Sequence, residues 1–209
     1  MPNKTFFNLD QKKRDRVLDS AIDEFAKNGY SKASITSIVN KAEIAKGSFY
    51  QYFKNKYDLF KYIIEIAVKR KLEYINRSID NYNSEFDFIE YWKMLNKAGI
   101  KFAKDNKDLA TISLSLIKNK DKEKFNDIIT QLKPLSDEMF EELIIKAQRK
   151  GQIRKDIDQK YISHLLYKSS FFISEYFLEE GNSNNFDEYL PMVDKMMEII
   201  SFGIKKEVD

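Results

Sequence analysis

The amino-acid sequence predicts an all-α protein. Its 209 residues include only six glycines and three prolines, too few breakers for a fold of many short strands and turns. Lys, Glu, Leu and Ala are frequent while Val and Thr are scarce, which favours helix, although abundant Ile pulls the other way. Apolar residues also recur at helical spacing along most of the chain. A chain of this length can bury about 70% of its unfolded surface, and 43% hydrophobic residues supply the side chains to do so.

The absence of cysteine excludes disulfides and thiolate metal sites. The opening Met1-Pro2-Asn3-Lys4-Thr5-Phe6-Phe7 lacks an apolar core of signal-peptide length, and no stretch approaches 18 apolar residues. A soluble, cytoplasmic protein with no membrane partner is expected. Charge is unevenly placed. Residues 1–56 carry 11 Lys/Arg against 6 Asp/Glu, and residues 57–209 carry 25 against 27. A basic N-terminal quarter on an otherwise slightly acidic chain points to an anionic partner at that end, nucleic acid or a membrane surface.

From Asp10 to Asn28, Val17, Leu18, Ala21, Ile22, Phe25 and Ala26 form one helical stripe, which stops at Gly29, with Tyr30 opening a loop. Ser34 is placed to cap a second short helix carrying Ile35, Ile38 and Val39. A break at Ala42-Glu43-Ile44-Ala45 precedes a third, from Lys46 to Phe53. Asn55 with Asp58 resembles a capping box for a long helix running past residue 75. Further helices are expected at about 86–104, 107–118, 122–150, 158–180 and 186–206, with Pro134 breaking or kinking the third of these. Gly151 and Gly181 read as helix stops, and Asn182-Ser183-Asn184-Asn185 as a polar loop.

The segment from Ser34 to Lys56 has the chemistry of a nucleic-acid contact. Lys46, Lys54 and Lys56 supply positive charge, while Ser48, Tyr50 and Tyr52 supply neutral hydroxyl donors. A helix N-terminus points free N–H groups at an anion, and Gly47 allows close backbone approach. With Phe49 and Phe53 pointing inward, Gln51 and Tyr52 are expected on the exposed side, within reach of base edges in a major groove. Short helix, tight break and short basic helix together read as a helix-turn-helix. From spacing alone, a solvated basic face on a small bundle fits equally well.

The runs Phe25-Ala26-Lys27-Asn28-Gly29-Tyr30 and Ser34-Ile35-Thr36-Ser37-Ile38-Val39, and above all Lys46-Gly47-Ser48-Phe49-Tyr50-Gln51-Tyr52-Phe53-Lys54-Asn55-Lys56, closely resemble the DNA-binding domain of TetR-family transcriptional regulators. The resemblance covers about residues 12–60. It implies a three-helix DNA-binding domain over 1–56 and a larger helical effector-binding and dimerisation domain over 57–209, with the homodimer built mainly from the last two helices. Lys46, Gly47, Tyr50 and Lys56 fall where family members touch phosphates, with Ser34 and Thr36 at the start of the second helix. Ser48, Gln51 and Tyr52 fall where base or nearby backbone contacts vary. Two positions depart from the pattern: many members have Gly in place of Glu43 and Ser or Thr in place of Ala45. Ala45 cannot cap the recognition helix, a deficit of about 1 kcal/mol, and Glu43 brings negative charge near the DNA.

No comparably specific motif occurs in residues 61–209. Trp92, Phe102, Leu116 and Phe140 lie on apolar stripes and read first as core. The resemblance implies an effector pocket among the middle helices, for which Trp92 is the first candidate. The sole histidine, His164, makes a poor metal site and reads first as a surface or hydrogen-bonded histidine, with a polar group of the pocket as the alternative. Ile162, Leu165, Leu166 and Phe172, with Val193, Met196, Met197 and Ile200, give two apolar helical faces that one protomer need not hide. Phosphate-binding glycine loops, HExxH, GxSxG and Glu-x-x-His pairs are absent, so neither enzyme activity nor a cofactor is expected. The resulting expectation is a ligand-responsive regulator, more readily a repressor, that binds a palindromic double-stranded operator as a homodimer and is released by a small molecule. The alternative is a helical small-molecule-binding protein or enzyme whose basic head holds polyanions or membrane without sequence preference.

Overall fold

The computed structural model describes residues 2–80, 85–118, 125–179 and 189–204. Ten helices and no strand occur among them: α1 (Lys4–Phe7), α2 (Gln11–Lys32), α3 (Ile35–Lys41), α4 (Lys46–Tyr52), α5 (Lys56–Asp80), α6 (Phe88–Asp105), α7 (Lys107–Lys118), α8 (Asn126–Arg149), α9 (Gln159–Glu179) and α10 (Tyr189–Ile204). Gly181 and the Asn182–Asn185 loop lie outside the described residues.

Local chemistry accounts for several of the boundaries. Asp10 caps α2 by accepting the Lys13 amide at 2.9 Å, and Asn55 accepts the Asp58 amide at 2.9 Å ahead of α5. Gly151, with φ of 74°, follows the end of α8. Gly29 has positive φ, 64°, and non-helical ψ, 169°, so it ends the first stretch of α2 as its sequence suggests, and beyond it a further helical turn, in place of the expected loop, continues to Lys32. Tyr30 pins that extra turn: it is buried, stacked on Phe25 at 6.2 Å and edge-on to Phe60 at 4.9 Å. Pro134 does not break α8, which runs through it. One missing N–H bond is absorbed within a helix of 24 residues.

The chain forms two compact units, Met1–Glu73 with Asp105–Ile128, and Tyr74–Lys104 with Ile129–Asp209. Leu59, Phe60, Ile63, Ile64 and Ala67 form a buried stripe at the start of α5, and Phe60 contacts Phe25 of α2 at 5.0 Å. The first turns of α5 thus complete the core of the N-terminal helices, as does α7, which packs on α2. Val17, Ala21 and Phe25 supply the α2 stripe, and Ile38, Phe49 and Phe53 the core of the shorter helices. Each fully buried Ile or Phe contributes about 1.5–3 kcal/mol.

The second unit has its own core, including Phe88, Trp92, Leu95 and Ala98 of α6, Ile144 and Ala147 of α8, Ile162 and Leu166 of α9, and Val193 and Met197 of α10. Two buried or half-buried amides pin its connections. Gln152 donates to the Phe86 carbonyl at 2.7 Å and accepts the Phe88 amide at 3.0 Å, and Gln148 donates to the carbonyls of Arg154 and Ile157.

Candidate nucleic-acid interface

The helix-turn-helix is organised around a buried carboxylate. Glu24, in the middle of α2, accepts the Ser34 amide at 3.0 Å and the Asn28 side-chain amide at 3.0 Å on one oxygen, and the Ser37 hydroxyl at 2.6 Å on the other. Burial pushes its carboxyl up, but the bonds from Ser37, Ser34 and Asn28, with the Lys41 ammonium 3.7 Å away, outweigh it and hold the group below its usual range. Lys41 also pairs with Asp23 at 2.7 Å. These contacts tie the start of α3 to α2, and Ser34 accepts the Ser37 amide at 3.4 Å, acting as the expected cap.

The turn between α3 and α4 carries both departures from the family pattern. Glu43 has φ of 55°, the left-handed region that favours glycine. Its carboxylate is paired with Arg16 of α2 at 2.7 Å, which offsets the negative charge expected to face a polyanion. Ala45 is the residue before α4 and makes no side-chain cap.

Burial divides α4 into two faces. Phe49 and Phe53 are fully buried, whereas Lys46, Gly47 and Gln51 are exposed, Ser48 is half-buried and Tyr50 is 49% exposed. Thr36, in the first turn of α3, is exposed with Ser34. A Cβ built on Gly47 would meet nothing within 4 Å, so no contact within the chain demands glycine there. The arrangement can present two ammonium-bearing or hydroxyl-bearing turns and a bare backbone to an anion.

Two predicted site residues are placed differently. Tyr52 is not on the exposed side: it is 5% exposed, with Phe6 of α1 packed on its ring at 6.0 Å. The Lys56 ammonium donates to the carbonyls of Ala33 at 2.8 Å and Ser31 at 3.3 Å and lies 4.7 Å above the Tyr30 ring, an internal tie across the α2–α3 connection.

Sequence patterning missed α1, the Glu24 cluster and the Arg16–Glu43 pair. The adjacent Phe6 and Phe7, ahead of a good capping Asp10, were the available signal for a docked N-terminal segment; Glu24 carried none beyond lying next to the apolar stripe.

In the second unit Trp92 is 3% exposed, stacked near Phe88 at 6.3 Å and tilted against Phe140 at 5.0 Å. A cleft of about 470 Å³ there is lined by Ser78, Glu90, Lys93, Met94, Lys97 and Lys101 among others, and Trp92 does not line it. Trp92 is placed as core. His164 is exposed. Among the described residues, no cluster of His, Asp and Glu could hold a metal ion, and no helix is long and apolar enough to cross a membrane.

Residues 17–63 match the family model described as bacterial regulatory proteins, tetR family. The fatty acid metabolism regulator protein of Bacillus subtilis (strain 168) is 21% identical over 155 residues, 73% of this chain and 76% of the relative. A crystal structure of a TetR family transcriptional regulator from Chloroflexus aurantiacus J-10-FL superposes with a TM-score of 0.74 at 26% identity, covering 99% of this chain and all of that one. The transcriptional regulator FadR from Bacillus subtilis, solved in complex with stearoyl-CoA, shares the fold with a TM-score of 0.71 at 17% identity, covering 90% of this chain and 98% of that one. The matched segment spans α2 to the start of α5, where the exposed face of α4 lies, so residues 17–63 carry the DNA-binding domain of the tetR family of bacterial regulatory proteins, within a chain that shares its fold along nearly its whole length with a TetR family transcriptional regulator.

Proposed function

We propose that this regulator represses transcription by binding a palindromic operator as a homodimer and is released by a small-molecule effector. The observation that carries the reading is the division of α4: its aromatic face is buried in the head while Lys46, Gly47, Tyr50 and Gln51 are exposed together. Lys46, Tyr50 and the bare backbone at Gly47 suit phosphates, as do Ser34 and Thr36 at the start of α3, while Gln51 suits a base edge, with Ser48 flanking it.

Dimerisation through α9 and α10 is supported by their outward faces. Ile162 and Leu166 pack inward with Val193 and Met197. Tyr161, Leu165 and Phe172 on α9 and Ile199 and Phe202 on α10 remain exposed, Phe202 at 83%. Two heads on a two-fold axis would meet major grooves one turn apart, about 34 Å, or a multiple of it. An effector releases DNA only by binding the state with the wrong head spacing more tightly.

A fatty acyl-CoA is the effector class to test first, because of the similarity to a fatty acid metabolism regulator and to a fold solved with stearoyl-CoA.

Selection of sites from random duplex DNA by the ligand-free protein at about 0.1 M salt tests the reading. Enrichment of one palindromic motif, preferred about 10³-fold or more over random duplex, is expected. Equal affinity for random duplex and heparin would favour the nonspecific polyanion reading. Release of the selected duplex by stearoyl-CoA, but not by free CoA, would support the effector class.

A further inference from the structure

We propose that residues 3–6 are a clip that sets the position of the recognition helix, and that Asn3, Thr5 and Phe6 are positioning residues for Gln51. This rests on the reading of α4 as the DNA-recognition helix. That helix has only seven residues, too few to be stable on its own, and begins without a side-chain cap. In any helix the last four carbonyls lack partners within it. The Phe49 carbonyl accepts the Phe53 amide at 2.8 Å. The Gln51 carbonyl accepts the Asn3 side-chain amide at 3.0 Å and the Thr5 hydroxyl, and the Tyr52 carbonyl accepts the Asn3 backbone amide at 2.8 Å. Three donors from residues 46 to 49 positions away in sequence thus close the end of α4.

Phe6 anchors the clip. Its ring is fully buried, 4.9 Å from Phe53, 6.0 Å from Tyr52 and 5.9 Å from Tyr62 of α5. Arg14 of α2 donates to the Phe7 carbonyl at 3.4 Å. The end of α4 is therefore held against α5 and α2 through a segment that precedes the helix-turn-helix in sequence. Both side-chain bonds of the clip fall on the carbonyl of Gln51, whose own side chain is exposed. Releasing them frees the last turn of α4, where Gln51 lies, and leaves Lys46 at the first turn in place. The loss falls on discrimination between sequences rather than on phosphate attraction.

The test uses the full chain with Asn3→Ala, Thr5→Val and the double variant, with Thr5→Ser as the conservative control that keeps the hydroxyl. Amide hydrogen exchange at residues 50–53 is measured on the free protein. Affinity is then measured for the duplex that the wild type selects from a random pool and for an unselected duplex of equal length, over a range of salt. Expected for the double variant are faster exchange at 50–53, with α2 unchanged, and about tenfold weaker binding of the selected duplex, the size of one to two neutral hydrogen bonds. The unselected duplex and the salt slope should not change, and Thr5→Ser should match the wild type. Unchanged exchange at 50–53 overturns the clip. Equal weakening on both duplexes with a shallower salt slope also overturns it, by making the segment a phosphate contact. If the wild type selects no duplex, the DNA-recognition reading fails by itself, and the exchange data still decide whether residues 3–6 hold α4.

Discussion

The carboxylate of Glu24 accepts the hydroxyl of Ser37 at 2.6 Å, joining α2 to α3, the first helix of the helix-turn-helix, through a buried charge. The same group holds the Ser34 amide, so the cap of α3 and its attachment to α2 depend on one side chain. Glu24→Ala leaves these donors with no protein acceptor and should destabilise the N-terminal unit by about 2 kcal/mol in denaturant unfolding.

The same residue gives a pH dependence of known sign. Its folded carboxyl is held below the ordinary value of 4.5, so folding favours the ionised form. The contribution is complete above about pH 4.5 and is lost as pH falls through the depressed folded value. Asp23, lowered by Lys27 and Lys41, adds in the same direction. Stability measured from pH 7 down to pH 3 should therefore fall less steeply in Glu24→Gln than in the wild type; equal slopes would remove Glu24 as a source of acid sensitivity.

Glu43 occupies the left-handed region in the turn before α4. Glu43→Ala keeps that strain and loses the exposed Arg16 pair, whereas Glu43→Gly loses the pair and relieves the strain. Glycine should be more stable than alanine at this position by about 1 kcal/mol. Thermal unfolding of the two variants is the comparison to make.

Lys46 and Lys56 should separate cleanly. Lys46→Ala, at an exposed helix start, should weaken binding to all duplexes and lower the salt slope by about one. Lys56→Ala removes an ammonium that bonds the Ala33 and Ser31 carbonyls and should cost about 1–3 kcal/mol of stability while leaving the slope unchanged. A lowered slope for Lys56→Ala would return that lysine to the DNA interface.

Gln51→Ala should change base preference at one position of the selected site and leave the rest of the motif intact. Repeating the selection with the variant reads this directly, and an identical motif would remove Gln51 from base recognition.

Phe202→Glu places a charge on the most exposed large apolar side chain among the described residues of α10. Sedimentation should show a shift from dimer to monomer with unchanged helix content, and affinity for a full palindrome should fall toward that for a half-site. A dimer that persists would move the interface elsewhere.

The helices were legible because their signals are short-range. Ser34, three residues from the amide it accepts, and Asn55, three residues from Asp58, announce their helices within one turn. The Val17–Ala21–Phe25 stripe shows which face of α2 is buried. Tyr52 was misread because its cover, Phe6, comes from a four-residue helix too short to show a period. Lys56 looked like a free cation because its acceptors are backbone carbonyls, which every sequence contains and none marks.

The sequence by itself determined the helical architecture, the helix-turn-helix and the resemblance to the TetR family, since caps, periodicity and a contiguous motif act over a few residues. Tertiary structure decided which of the motif's side chains face outward. It buried Tyr52, turned Lys56 inward, made Glu24 the centre of the head and set residues 3–6 against the end of α4. Each of those outcomes depends on partners 4 to 49 positions away, where packing and hydrogen-bond satisfaction in three dimensions, rather than local propensity, select the arrangement.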